Sequence, residues 1–340
     1  VKFGPLPVDE AVGCILAHSL KLPDETLKKG RRLSVADTTR MREAGLPQIV
    51  VARLEADDVH EDEAARRMAE ALSGGAVLCG AAVTGRANLL AGQAGLVRID
   101  ATRLTAMNAV HESLTVATLP DFEPVVAGQM LATIKVIPYA VPAAALEAVL
   151  CIARSAAPAI HVAPYCGLGV GLILTRLPQS RASVLAKMRG AVEKRLQPLE
   201  AVLRAEAIVA HEAAAVADAL AGLAGRADIG AVLISGIAAT VDRADVVPAG
   251  IVAAGGRVLH AGMPVDPGNL LVLAQIAGAA GPCAVVGLPT CARSPKLNGF
   301  DLVLRRLAAG IQVTPGDVMA MGIGGLLSEI PTRPMPRGAA

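Results

Sequence analysis

Gly171-Leu172-Ile173-Leu174-Thr175, Glu206-Ala207-Ile208-Val209 and Ile229-Gly230-Ala231-Val232-Leu233-Ile234 are the stretches whose reading decides the fold. The first and third are short apolar runs of the kind that form a buried strand, and the second is a further strand. Between the first two, a helical pattern runs through Lys187, Val192 and Leu196, and between the second and third an Ala-rich helix runs from His211-Glu212 to Leu223. Strands that alternate with helices imply a largely parallel sheet. Arg257-Val258-Leu259 and Ala284-Val285-Val286-Gly287-Leu288 add two strands, and a helix follows from Gly299 to Leu307. The expected fold class is therefore α/β: a C-terminal three-layer αβα domain on a mainly parallel sheet, preceded by a smaller mixed α+β region.

Working back from this domain, the signals become mixed. Ser34 with Asp37 three residues on reads as an approximate capping box for a helix ending at Gly45. Gln48-Ile49-Val50-Val51-Ala52 is a β-branched strand. Asp57-Asp58 and Glu61-Asp62-Glu63 place negative charge at a helix start, where the helix dipole favours it. Met130-Leu131-Ala132-Thr133-Ile134-Lys135-Val136-Ile137 is a further strand, and an Ala-rich helix runs from Pro142 to Ser155. These signals predict an N-terminal α+β region over 1–140, in one or two subdomains, a linker helix within 141–160, the α/β domain over 161–315 and a Gly/Pro-rich tail over 316–340. Pro331-Thr332-Arg333-Pro334-Met335-Pro336-Arg337 in that tail is expected to be mobile.

Composition excludes several function classes. The mean hydropathy is +0.52, yet no stretch of about 18 apolar residues runs free of charge or turn residues, so no membrane span is expected. Asp9-Glu10 interrupts any early signal-like run, and the six cysteines are scattered without a CxxC. A cytoplasmic protein with reduced thiols is the expectation. Lys+Arg 32 against Asp+Glu 30 gives no dominant pull on nucleic acid. With Phe 3, Tyr 2 and no Trp, a base-stacking platform is also excluded.

In an open parallel sheet, ligands sit beyond the carboxyl ends of the strands, so the loops there are where chemistry is sought. The loop Ser235-Gly236-Ile237-Ala238-Ala239-Thr240-Val241-Asp242-Arg243-Ala244-Asp245 has small residues that admit a phosphate or pterin to backbone N–H groups. Ser235 and Thr240 supply hydroxyls, and Asp242 and Asp245 are candidates to position a hydrated cation. A second loop carries His211-Glu212. A third, from Gly287 to Phe300, holds Arg293, Ser294 and Lys296 as a phosphate cradle at a helix N-terminus. Asp266, in Ala261-Gly262-Met263-Pro264-Val265-Asp266-Pro267-Gly268-Asn269, stands in a turn as a hydrogen-bond acceptor.

The order and spacing of these loops over about 165–312 resemble the molybdopterin-binding family, which includes molybdopterin adenylyltransferases and molybdopterin molybdenumtransferases. Leu6-Pro7-Val8-Asp9-Glu10-Ala11-Val12-Gly13-Cys14 also resembles the opening of the molybdenumtransferases. The whole chain is similar to bacterial molybdopterin-binding proteins that are often fused to a nucleotidyltransferase. The resemblance implies molybdopterin, or its nucleotide form, as ligand or substrate, a homo-oligomer, and a role in molybdenum-cofactor biosynthesis beside a cytidylyltransferase or another enzyme of that process. For a catalytic member it implies Asp242, Asp245 and Glu212 as catalytic residues, Asp242 and Asp245 holding Mg2+, and a pterin site built from Ser235, Gly236, Thr240, Asp266, Pro289, Arg293, Ser294 and Lys296. The chain departs from the family pattern at Ile237, Ala239 and Val241, where glycine or small residues are usual, and at His211, where the family has an acidic residue. These departures favour binding over a bond-making step. Two rivals are a nucleotide pyrophosphatase of the competence-damage-protein type and a non-catalytic pterin sensor or scaffold.

Overall fold

Alternation along the strand Gly169–Arg176 shows how the C-terminal half is layered. Leu172 and Leu174 join a buried cluster with Leu185, Met188 and Val192 of the helix Ala182–Leu196 and with Phe300, Val303 and Leu304 of the helix Gly299–Ala308. Ile173, between them, faces a second cluster with Val216 and Leu220 of the helix Ala213–Ala224 and Val247 and Ile251 of the helix Val246–Ala253. Successive side chains of a strand point to opposite faces, so the two clusters lie on the two sides of one sheet. The protein has the α/β fold that the apolar runs imply, and helices cover both faces of this sheet.

This computed structural model describes residues 1–327. The chain divides into two units, Val1–Ala163 and Pro164–Ala340. In the second unit the sheet order is Val202–Ala210, Gly169–Arg176, Ala231–Ser235, Gly281–Gly287, Val272–Gly278, Arg257–Ala261. The first four strands pair in parallel and the last two antiparallel. Sequence reading did not identify the strand Val272–Gly278 or the helix Val246–Ala253. Pro248 and Gly250 look like loop residues in that helix. Pro248 stands in the first turn, however, where a missing N–H removes no intrahelical bond. A Cβ on Gly250 would come within 2.7 Å of Val216 Cγ1, so glycine there lets the two helices approach closely.

In the first unit, Lys2–Pro7, Gln48–Arg53 and Ile15–Leu16 form a small antiparallel sheet beside a core that includes Leu27 and Met41. The helix Val35–Glu43 carries the capping box read from sequence: Ser34 accepts from the Asp37 N–H, and Asp37 accepts from the Ser34 N–H. A four-stranded antiparallel sheet follows, ordered Leu114–Thr118, Met130–Val136, Arg86–Ala91, Val77–Cys79. Met68 and Leu72 of the helix Glu61–Leu72 pack on it, and Leu146, Val149 and Leu150 of the helix Ala143–Ala153 join the same buried cluster. The helix expected to act as a linker therefore contributes to the core of the first unit. At the other end, Pro315–Ala320 forms a short helix capped by Thr314 and Asp317 inside the expected tail. The run 331–337 lies outside the described residues.

Candidate ligand-binding site

The strands Gly169–Arg176 and Ala231–Ser235 are neighbours, yet the helices that follow them pack on opposite faces of the sheet. Such a reversal opens a crevice at the carboxyl ends of the two strands, the usual ligand position in this architecture. Thr175 sits at the rim of the crevice, buried at the end of its strand. Its Oγ1 accepts the Ile237 N–H at 2.8 Å and lies 2.9 Å from His211 Nδ1. One threonine thus fixes the second and first candidate loops to the end of the first strand.

Arg293 joins the third loop to this arrangement. Its Nη2 donates to the carbonyls of Gly236 and Ile237 at 2.8 and 2.9 Å, while its Nε is buried without a hydrogen-bond partner among the described residues. Burial pulls the Arg293 pKa below its ordinary value, but a guanidinium remains charged at physiological pH. A cavity of about 590 Å³ is lined by Arg293, Ser294 and Pro295 on one side and by Ser183, Val184, Lys187 and Met188, in the first turns of the helix Ala182–Leu196, on the other. Neither Lys187 nor Arg293 makes an ion pair among the described residues. No side-chain cap is present at Arg181, where the helix begins, and the Val184 N–H donates to the Arg181 carbonyl at 3.0 Å.

Arg195, two turns further along the same helix, fixes the shape of the third loop. It pairs with Asp301 at 2.7 Å, both side chains nearly buried, and donates to the carbonyls of Ser294 and Lys296 at 2.6 and 3.1 Å. Asp301 in turn accepts the Asn298 N–H at 2.7 Å and closes the capping box of the helix Gly299–Ala308.

The sequence-derived site residues separate into two groups. Gly236, Arg293 and Ser294 converge: Arg293 holds the Gly236 carbonyl, and Arg293 and Ser294 line the cavity. Ser235 is buried at the end of its strand, and Pro289 is buried two residues past the strand Gly281–Gly287, at the start of the turn Thr290–Arg293. Glu212 is exposed at the N-cap of the helix Ala213–Ala224 and makes no side-chain capping bond. Thr240 is half-buried, and Lys296 is exposed and is not among the residues that line the cavity. Asp266 is half-buried in a loop whose backbone pairs with Gly325 and Leu327.

The two candidate metal ligands organise their own loop. Asp245 Oδ2 accepts the N–H groups of Val241 and Asp242 at 2.6 and 3.1 Å, and Asp242 Oδ1 accepts the Ala244 N–H at 2.7 Å. Those backbone bonds hold the Asp245 carboxyl below its usual range. No group of three or more His, Cys, Asp or Glu side chains among the described residues is arranged to hold a metal. The carboxylates fit a turn-forming role better than a resident magnesium site.

Thr175, Lys187 and Arg195 escaped sequence reading. Thr175 is the one polar residue closing an apolar strand, and Arg195 falls on the buried stripe with Met188 and Val192. Either anomaly could have drawn attention. Lys187 gave no signal, because an exposed helical lysine is ordinary.

Residues 5–53 match the family described as Domain of unknown function (DUF8806). No curated protein matches the chain significantly. Among solved structures, the chain is similar to a molybdenum cofactor biosynthesis protein from Pyrococcus furiosus, at 12% identity and a TM-score of 0.24, over 92% of this chain and 66% of that one. A TM-score of that size falls short of a shared fold.

Proposed function

We propose that the second unit binds a phosphorylated pterin of the molybdopterin type and serves molybdenum-cofactor biosynthesis as a carrier or presenting protein. The observation that carries this reading is the meeting of Lys187 and Arg293, two cations without paired carboxylates among the described residues, on one cavity at the carboxyl edge of the sheet. Arginine and lysine there, with the hydroxyls of Ser183 and Ser294, suit a phosphate group. Val184, Met188 and Pro295 give the cavity an apolar wall suited to a flat ring. The wall holds no carboxylate and no imidazole to move a proton, which favours capture over bond formation. No step of this reading passes through a metal.

The test is anaerobic titration with molybdopterin, followed by its fluorescence. Wild-type protein binds, and Lys187→Ala, a change at an exposed side chain, weakens binding about tenfold or more by removing a charged contact. Arg293→Lys is expected to do the same, since lysine cannot both hold the two carbonyls and reach the ligand. Wild-type protein that takes up no molybdopterin under these conditions overturns the proposal.

A further inference from the structure

The first unit contains its own cavity, larger than the one just described, at about 770 Å³. That volume lies within the range of small-molecule sites. Its wall brings together Glu61, from the start of the helix Glu61–Leu72, Lys135 of the strand Met130–Val136, and His111, Lys29 and Tyr139 from loops. Glu61 is 7% exposed and is the only carboxylate in this wall among the described residues. A carboxylate this deeply buried is ordinarily closely paired. Here its ion-pair partner, Lys135 Nζ, stands 3.7 Å away, beyond direct hydrogen-bond distance, and donates to the Thr84 carbonyl at 2.5 Å. Glu61 therefore keeps accepting capacity at the cavity wall.

Neighbouring groups preserve this arrangement. Gly85 has φ +68, and a Cβ there would collide with Glu61 Oε2 and come within 3.0 Å of Lys135 Nζ. Tyr139 donates its hydroxyl to the Ala17 carbonyl at 2.9 Å, which anchors the ring. His111 Nδ1 accepts the Ser113 N–H at 3.2 Å, so a neutral imidazole carries its proton on Nε2 and is a donor. Lys29 makes no ion pair among the described residues. Phe3, Ile137, Pro138 and Tyr139 supply apolar surface.

We propose that this cavity is a second ligand site, for a small organic anion whose body carries adjacent N–H donors. Lys29 takes the acidic group, with His111 Nε2–H as a further donor, and Glu61 accepts the N–H edge. A heterocycle that presents two parallel N–H bonds meets a carboxylate as a guanidinium does, and the pairing fails where one N–H is replaced by an acceptor. This site is independent of the pterin reading of the second unit.

The test uses the full chain and three probes in calorimetric titration: GMP, AMP and inorganic phosphate. GMP carries a phosphate and an edge of adjacent N–H groups, whereas AMP sets a ring acceptor beside its amine. The expected order is GMP tightest, AMP weaker by about tenfold or more, and phosphate weakest. Lys29→Ala, a change at an exposed side chain, weakens GMP about tenfold. Glu61→Gln keeps the fold and removes the preference for GMP over AMP. The proposal is overturned if GMP does not bind at millimolar concentration, if GMP and AMP bind equally, or if Lys29→Ala and Glu61→Gln change nothing.

Discussion

Glu61 and Asp37 are both buried carboxylates of the first unit, and acid affects them in opposite directions. Burial raises the Glu61 pKa above its ordinary value of 4.5, and the attraction of Lys135 offsets only part of that. Burial also pushes Asp37 upward, but hydrogen bonds from Ser34 and Arg31 outweigh it and leave the group below 3.8. A raised carboxyl contributes stability below pH 4.5 that is lost as pH rises through the folded value; a lowered one contributes above pH 3.8 and loses it as pH falls through the folded value. Urea titrations at a series of pH values are therefore expected to show a decline in stability above pH 4.5 that Glu61→Gln removes. Asp37→Asn takes away the reciprocal cap and the contacts to Arg31 and Arg40, and is expected to cost about 1–2 kcal/mol near neutrality and little at low pH. A Glu61→Gln protein with the same pH dependence as wild type would contradict the first expectation.

Among elements, the contacts that position the second-unit cavity lie outside its wall. Arg195→Met leaves Asp301 buried without its cation and frees the carbonyls of Ser294 and Lys296, so a loss of about 3 kcal/mol is expected in denaturant unfolding. Proteolysis within 294–297 should accelerate in the same variant. Gly250→Val drives a branched side chain into Val216 where a lone Cβ is already too close, and about 1–3 kcal/mol of destabilisation is expected from the overpacked helix pair. Equal stability of Gly250→Val and wild type would show that the two helices can separate without cost. Most elements of the sheet were legible because buried parallel strands are unbroken apolar runs. The helix Val246–Ala253 was not, since Pro248 and Gly250 carry loop signals that only its position against Val216 explains. In the candidate site, Arg293 and Ser294 were legible from charge at the end of a strand. Lys187 was not, because its place at the cavity depends on where its helix starts, and Asp242 and Asp245 resemble metal ligands in sequence while their oxygens are engaged by backbone N–H groups.

At the scale of the whole molecule, the separate buried clusters of the two units imply that each can melt by its own cooperative transition. Calorimetry is expected to resolve two transitions, with molybdopterin raising only that of the second unit and GMP only that of the first. A single transition shifted by both ligands would refute this. The chain has no tryptophan and two tyrosines, Tyr139 on the wall of the first-unit cavity and Tyr165 against the core of the second. Each unit therefore carries one native fluorophore. Ultraviolet emission from an unlabelled sample can follow both units, and a Tyr139→Phe protein would emit from the second alone.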